Sequence, residues 1–186
     1  MTSFANTSRR YGAVAIAFHW FMAVLLIALI ALGLYMVSLP DAGFDRKKIT
    51  LILVHKEYGI LALSLVAVRL AWRVGNALPA LVEHIPDWQK VIARFVHLSF
   101  YGLMFALPIT GWLMSSAAGI PVYFFGWSLP DFISPNDYLF HAFIGIHKWL
   151  SFALIACILL HAGAALRHHF IFKDETLKKM LPDMRS

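Results

Sequence analysis

The stretch from Tyr138 to Phe172, YLFHAFIGIHKWLSFALIACILLHAGAALRHHFIF, constrains the chain most. It is apolar for longer than a bilayer is thick, so it reads as a membrane-spanning helix. It nevertheless carries histidines. His147 and His161 are fourteen residues apart, which on a helix is roughly 21 Å of axial rise and within roughly 40° of the same face. One helix therefore presents two imidazoles to one side, near opposite edges of a membrane.

Three other runs are long enough to span: about 13–37, 49–73 and 91–116, against 141–169 for the last. The composition agrees, with 60% hydrophobic and 14% charged residues, where soluble domains are about one quarter charged. The expected fold is all-α, a single domain built as a four-transmembrane-helix bundle. Arg9 and Arg10 before the first run resemble a signal-peptide start, but that run is long enough to span and shows no convincing cleavage box. The single cysteine, Cys157, excludes an intramolecular disulfide and reads as a buried small hydrophobe. The net charge of +6 comes from residues that flank the apolar runs, so it signals orientation and not nucleic-acid binding.

With four spans both termini lie on one side. Arg9, Arg10, Arg69, Arg73, Lys90, Arg94, Arg167, Lys173, Lys178, Lys179 and Arg185 fall on that side, against Arg46, Lys47, Lys48, Lys56 and Lys148 on the other. The positive-inside rule then places the termini in the cytoplasm. The segment 117–140 is rich in Phe, Tyr and Trp and has no Lys or Arg. It is expected to lie on the membrane interface, with room for a short surface helix over a site beneath. Pro108 is expected to bend the third helix. Gly102 and Gly111 beside it serve either close helix packing or the approach of something bulky.

Ionisable residues inside a span are costly and need a partner. By depth, His19 on the first helix matches His161 on the fourth, and His55 on the second matches His147. A helix–helix hydrogen bond explains any one of these histidines, but explains four at two matched depths less well. A zinc site wants three or four converging ligands, and a carboxylate-based proton pump wants an acid in mid-membrane, where this sequence has none. Two separated pairs suit haem, whose iron takes one axial imidazole on each side of a flat apolar ring. With both axial positions filled the expected task is electron transfer. Arg69 lies fourteen residues after His55, at the cytoplasmic level. Arg69 and Arg73 are candidate partners for haem propionates, and both also fit as charges reaching the interface. His97 lies at the level of His19 and His161. It has three open roles: ligand in place of His19, hydrogen-bond donor to a propionate, or lining of a quinone pocket. His84, in the second connection, is expected to be solvated. His141, His168 and His169, at the helix ends, are expected not to be ligands.

The motifs AFHW, LVHKEYGI, RFVHLSFY, IGIHKW, LHAGAALRHHF and KDETLKKM together resemble the bacterial cytochrome b561 family, which is related to cytochrome b subunits of nickel hydrogenases and formate dehydrogenases. The resemblance covers nearly the whole chain. It implies an inner-membrane cytochrome with two b haems, held by His19 with His161 on the cytoplasmic side and His55 with His147 on the periplasmic side. It also implies electron exchange with the quinone pool of a respiratory chain, opposite a periplasmic redox partner whose identity the sequence does not give. One branch of the family resembles a superoxide:ubiquinone oxidoreductase. The alternatives are a membrane-anchor subunit of a larger redox enzyme and, further off, a histidine-based metal or proton transporter.

Overall fold

The structure is a computed structural model and describes residues 3–8, 10–40, 45–80 and 86–181. Arg9, His84 and Arg185 lie outside the described residues. The elements in chain order are α1 (Ala13–Ser38), α2 (Arg46–Val74), α3 (Asp87–Ala117), a hairpin of β1 (Val122–Phe124) and β2 (Trp127–Leu129), and α4 (Asp137–Arg167). α4 runs on into a π-turn, His168–Phe172, and a single 3-10 turn follows at Lys178–Met180. All four α-helices are long and apolar enough to cross a membrane. Each packs on the next in sequence, as short connections between antiparallel neighbours dictate.

Three helices begin earlier than the apolar runs do, and at two of them side-chain capping and not hydropathy sets the start. The Asp45 carboxylate accepts from the Lys47 N–H at 2.8 Å, and the Asn136 side chain accepts from the Leu139 N–H at 2.9 Å. Each satisfies one of the free donors of a first turn. The charged turn Arg46–Lys48 therefore belongs to α2. α3 passes through Pro108 without ending.

The fully buried interior is thin. Met22, Val66 and Met104 meet between α1, α2 and α3, surrounded by Leu26, Leu63, Phe100 and Phe105. Leu154 is buried on α4, midway between His147 and His161. Many other large apolar side chains of the helices face outward; Leu159 and Leu160 are 67% and 66% exposed. So much apolar surface is incompatible with water and suits contact with acyl chains.

The aromatic segment after α3, where the sequence leaves room for a short surface helix, forms a β-hairpin. Val122 pairs with Leu129 and Phe124 with Trp127, leaving Phe125 and Gly126 as a two-residue turn with φ of 46° and 88°. Positive φ at both positions matches the right-handed twist of a hairpin, but it strains a bulky residue such as phenylalanine. Two contacts hold Phe125 there. Its N–H donates to the Glu57 carboxylate at 2.7 Å, and its ring meets Tyr58 edge-on, centroids 6.3 Å apart. The hairpin is thus tied to α2 one turn beyond His55.

At the opposite end, residues before α1, the α2–α3 connection and the tail after α4 are knitted together. Asn6 donates to the Ala77 carbonyl (2.9 Å), Trp20 Nε1 to the Met180 carbonyl (2.7 Å) and Lys179 Nζ to the Ala80 carbonyl (2.8 Å).

Candidate functional site

The helices bring the histidines together in two groups. At the hairpin end, His55 of α2 faces His147 of α4 with ring centroids 6.3 Å apart. Each ring lies against a glycine of a neighbouring helix. A Cβ added at Gly33 would stand 3.4 Å from His55 Cε1, and one at Gly111 would stand 3.5 Å from His147 Cε1. Gly111 therefore gives room to an imidazole. Gly102 has no atom within 4 Å of the place a Cβ would take, so close packing does not explain it.

Hydrogen bonding in this pair is unequal. Thr110 Oγ1 donates to the Leu107 carbonyl at 2.9 Å and lies 3.1 Å from His147 Nδ1. His55 Nδ1 is buried with no hydrogen-bond partner, a costly condition for a polar atom.

At the terminal end, His19 of α1 faces His161 of α4 at 6.1 Å between centroids. His161 also meets His97 and Phe100 of α3, each at 5.4 Å. An Arg69 guanidinium nitrogen lies 3.3 Å from His19 Nδ1, and the Arg73 guanidinium sits 5.7 Å from the Tyr101 ring centroid. Beside this group an open pocket with about 370 Å³ of empty space is lined by Tyr11, Phe18, Arg69, Arg73, Tyr101 and Met180 among others. No carboxylate is among its described lining residues. Trp72, also in the lining, has a buried indole N–H without a partner.

The other described histidines stand apart. His141 is exposed, 3.6 Å from the Asp137 carboxylate. His168 binds the Asp174 carboxylate past the end of α4. Burial would push the Asp174 carboxyl up, but hydrogen bonds from Thr176 and His168 outweigh burial and hold it below the usual carboxylate range. Among the described residues no three His, Cys, Asp or Glu side chains form a metal-binding group.

Sequence spacing brought forward His19, His55, His97, His147, His161 and Arg69, and the structure places all six in these two groups. It did not bring forward Thr110, Gly33 or Glu57. A threonine in an apolar run satisfies itself on its own helix, and a glycine carries no trace of the ring that lies against it.

Comparison with known proteins gives the family. The model of the prokaryotic cytochrome b561 family matches residues 10–183. The chain belongs to the prokaryotic cytochrome b561 family. Cytochrome b561 homolog 2 of Escherichia coli (strain K12) is 39% identical over 96% of this chain and 95% of its own length. Cytochrome b561 homolog 1 of the same organism is 31% identical over 93% and 97%. The probable superoxide oxidase CybB of Yersinia pestis is 30% identical over 95% and 98%. The cytochrome b561 family and the four spans make this chain a multi-pass protein of the bacterial inner membrane. It is a cytochrome that binds haem b and transfers electrons.

Proposed function

We propose that this cytochrome b561 is a single di-haem domain that carries electrons between a periplasmic donor or acceptor and the quinone pool, with its termini in the cytoplasm. His19 and His161 hold the cytoplasmic haem; His55 and His147 hold the periplasmic one. The observation that carries this reading is the spacing of the two imidazole pairs. An imidazole–metal bond of about 2.0 Å, plus about 1.1 Å from nitrogen to ring centre, puts two axial imidazoles about 6.2 Å apart centre to centre. The pairs stand at 6.1 and 6.3 Å. His97 lies only 5.4 Å from His161, which favours His19 as the partner and leaves His97 beside the ligand. The chemistry of the site fits as well: neutral nitrogen donors, an unpartnered buried Nδ1 on His55, glycines against the rings at one level, and two guanidiniums for carboxylates at the other.

When bound, haem b supplies a one-electron couple whose potential follows from axial ligands, burial and hydrogen bonding. The protein's own part is placement. Two histidines would be available to hold each haem, a donor set that suits electron transfer. Met22, Val66, Met104 and Leu154 pack between the two levels and keep water out. Arg69 and Arg73 bring positive charge to the carboxylates of the cytoplasmic group. Quinone enters through the family alone. Superoxide as the periplasmic donor is the finer reading. It draws on the name of the Yersinia relative and on Arg46, Lys47, Lys48, Lys56 and Lys148 at the hairpin end, a field that would draw in a small anion. The anchor-subunit reading gains nothing from the described part of the tail, which folds back on Trp20 and Ala80.

A reduced-minus-oxidised spectrum with pyridine haemochrome counting tests the proposal. Two b haems per chain are expected. His147→Ala and His161→Ala should each abolish a different one; loss of the same haem in both variants would refute the two-level assignment. Quinone reduction driven by superoxide across an ionic-strength series tests the donor, and absence of superoxide-dependent activity would remove that reading.

A further inference from the structure

Three side chains on one face of the last turns of α2 carry hydrogen-bond donors and no acceptor. Arg69, Trp72 and Arg73 stand at i, i+3 and i+4, so they emerge side by side. A guanidinium has N–H groups only, and an indole has a single N–H. The three cannot satisfy one another. All of them line the open pocket at the terminal end of the bundle. Tyr11 and Tyr101 line the same space, and no carboxylate is among its described lining residues.

Trp72 is the member of this set that the fold leaves incomplete. Its indole Nε1 is buried and has no hydrogen-bond partner among the described residues, a costly condition for an N–H. Its backbone is provided for: the Asn76 side chain donates to the Trp72 carbonyl at 3.0 Å and satisfies one of the free acceptors of a last turn. The indole therefore needs an acceptor from outside the chain. The two guanidiniums beside it select an anionic one, since arginine pairs best with the oxygens of a carboxylate or phosphate.

We propose that Trp72 is a haem-binding residue whose indole N–H donates to a propionate of the cytoplasmic haem, alongside Arg69 and Arg73. The proposal rests on His19 and His161 being the ligands of that haem. Phe18, next to His19 in α1, lines the same pocket, so the pocket adjoins a proposed ligand. A carboxylate has two oxygens with about four lone-pair sites, enough for guanidinium and indole together. The two kinds of donor do different work. Arginine brings charge on a long, flexible stem. Tryptophan brings one N–H, in the plane of a rigid ring with two side-chain torsions. Arg69 and Arg73 thus draw the acid group in, and Trp72 fixes its direction.

The test uses the full chain, made in a cell-free system into lipid nanodiscs and loaded with haem b, with Trp72 replaced by benzothienylalanine. That residue keeps the shape of tryptophan and has sulfur where the N–H was. Transfer of haem to excess apomyoglobin should show two phases in wild type, and the phase absent from His161→Ala belongs to the cytoplasmic haem. In the replaced protein that phase should run about tenfold faster, the size of one hydrogen bond to a charged group, and the other phase should not change. The propionate bending band of the resonance Raman spectrum should shift while the ring modes stay in place; a packing role moves neither rate nor band. Trp72→Phe should give the same acceleration and serves if the analogue is not incorporated. An unchanged propionate band, an unchanged rate or equal acceleration of both phases would overturn the role of Trp72 alone. Loss of the same phase in His147→Ala and His161→Ala would overturn the ligand assignment on which it stands.

Discussion

Thr110→Val isolates one hydrogen bond to one proposed ligand. The side chains have nearly the same shape, so the substitution removes the acceptor 3.1 Å from His147 Nδ1 and leaves the packing. An acceptor on Nδ1–H makes the imidazole a better donor to iron and favours the oxidised state. Its loss should raise the potential. A hydrogen bond of this type is worth about 1 kcal/mol net. With a tenfold change in a one-electron equilibrium equal to about 59 mV, that corresponds to a rise of roughly 40 mV. Spectroelectrochemical titration should show two waves in wild type. The wave absent from His147→Ala should move upward in Thr110→Val while the other stays in place, and Thr110→Ser should restore it. An unchanged pair of waves, a downward shift, or equal movement of both would refute this reading of the Thr110 contact.

Two further outcomes follow from contacts of a different kind. At Gly33 a Cβ would stand 3.4 Å from His55 Cε1, so Gly33→Ala should keep both haems. Gly33→Val places further methyls against the ring and should lose only the haem that His147→Ala loses, as read in the difference spectrum. Asp174, held below the usual carboxylate range, ties the tail to His168. A lowered carboxyl contributes stability that is complete above its unfolded value of about 3.9 and is lost as pH falls through the lower folded value. Hydrogen exchange over residues 173–181 should therefore be flat from neutral pH down to about pH 4 after correction for intrinsic rates. It should be faster at neutral pH in Asp174→Asn, and equal protection in the two proteins would show that the carboxylate does not hold the tail.

The bundle and its two histidine levels are legible in sequence because they depend on properties that a one-dimensional pattern carries. Apolar length fixes a span, and a separation of fourteen residues returns a side chain to the same face. His147 and His161, or His55 and Arg69, can be placed without coordinates for that reason. The hairpin is not legible in the same way. Phe125–Gly126 is not a common turn pair, and the left-handed Phe125 depends on Glu57, sixty-eight residues away. Arg69 can be set at the level of His19 from spacing alone, but that its guanidinium meets the ring of His19 depends on the lateral rotation of two helices. The Thr110 contact is hidden for a third reason. A hydroxyl bonded to its own helix looks the same in sequence whether or not an imidazole leans on it.

The arrangement of contacts gives the histidines a part in assembly. Inside a bilayer the hydrophobic effect does not drive helices together; packing and polar contacts must do so. Here the fully buried cluster joins α1, α2 and α3 through Met22, Val66 and Met104, while α4 packs chiefly on α3. The two proposed ligand pairs link α4 across the bundle, to α1 through His19 and His161 and to α2 through His55 and His147. A group that binds both members of a pair stabilises the folded form in which they face each other and has no equivalent site in a loosened bundle. The thin interior is therefore consistent with a bundle whose fourth side is closed by its cofactor.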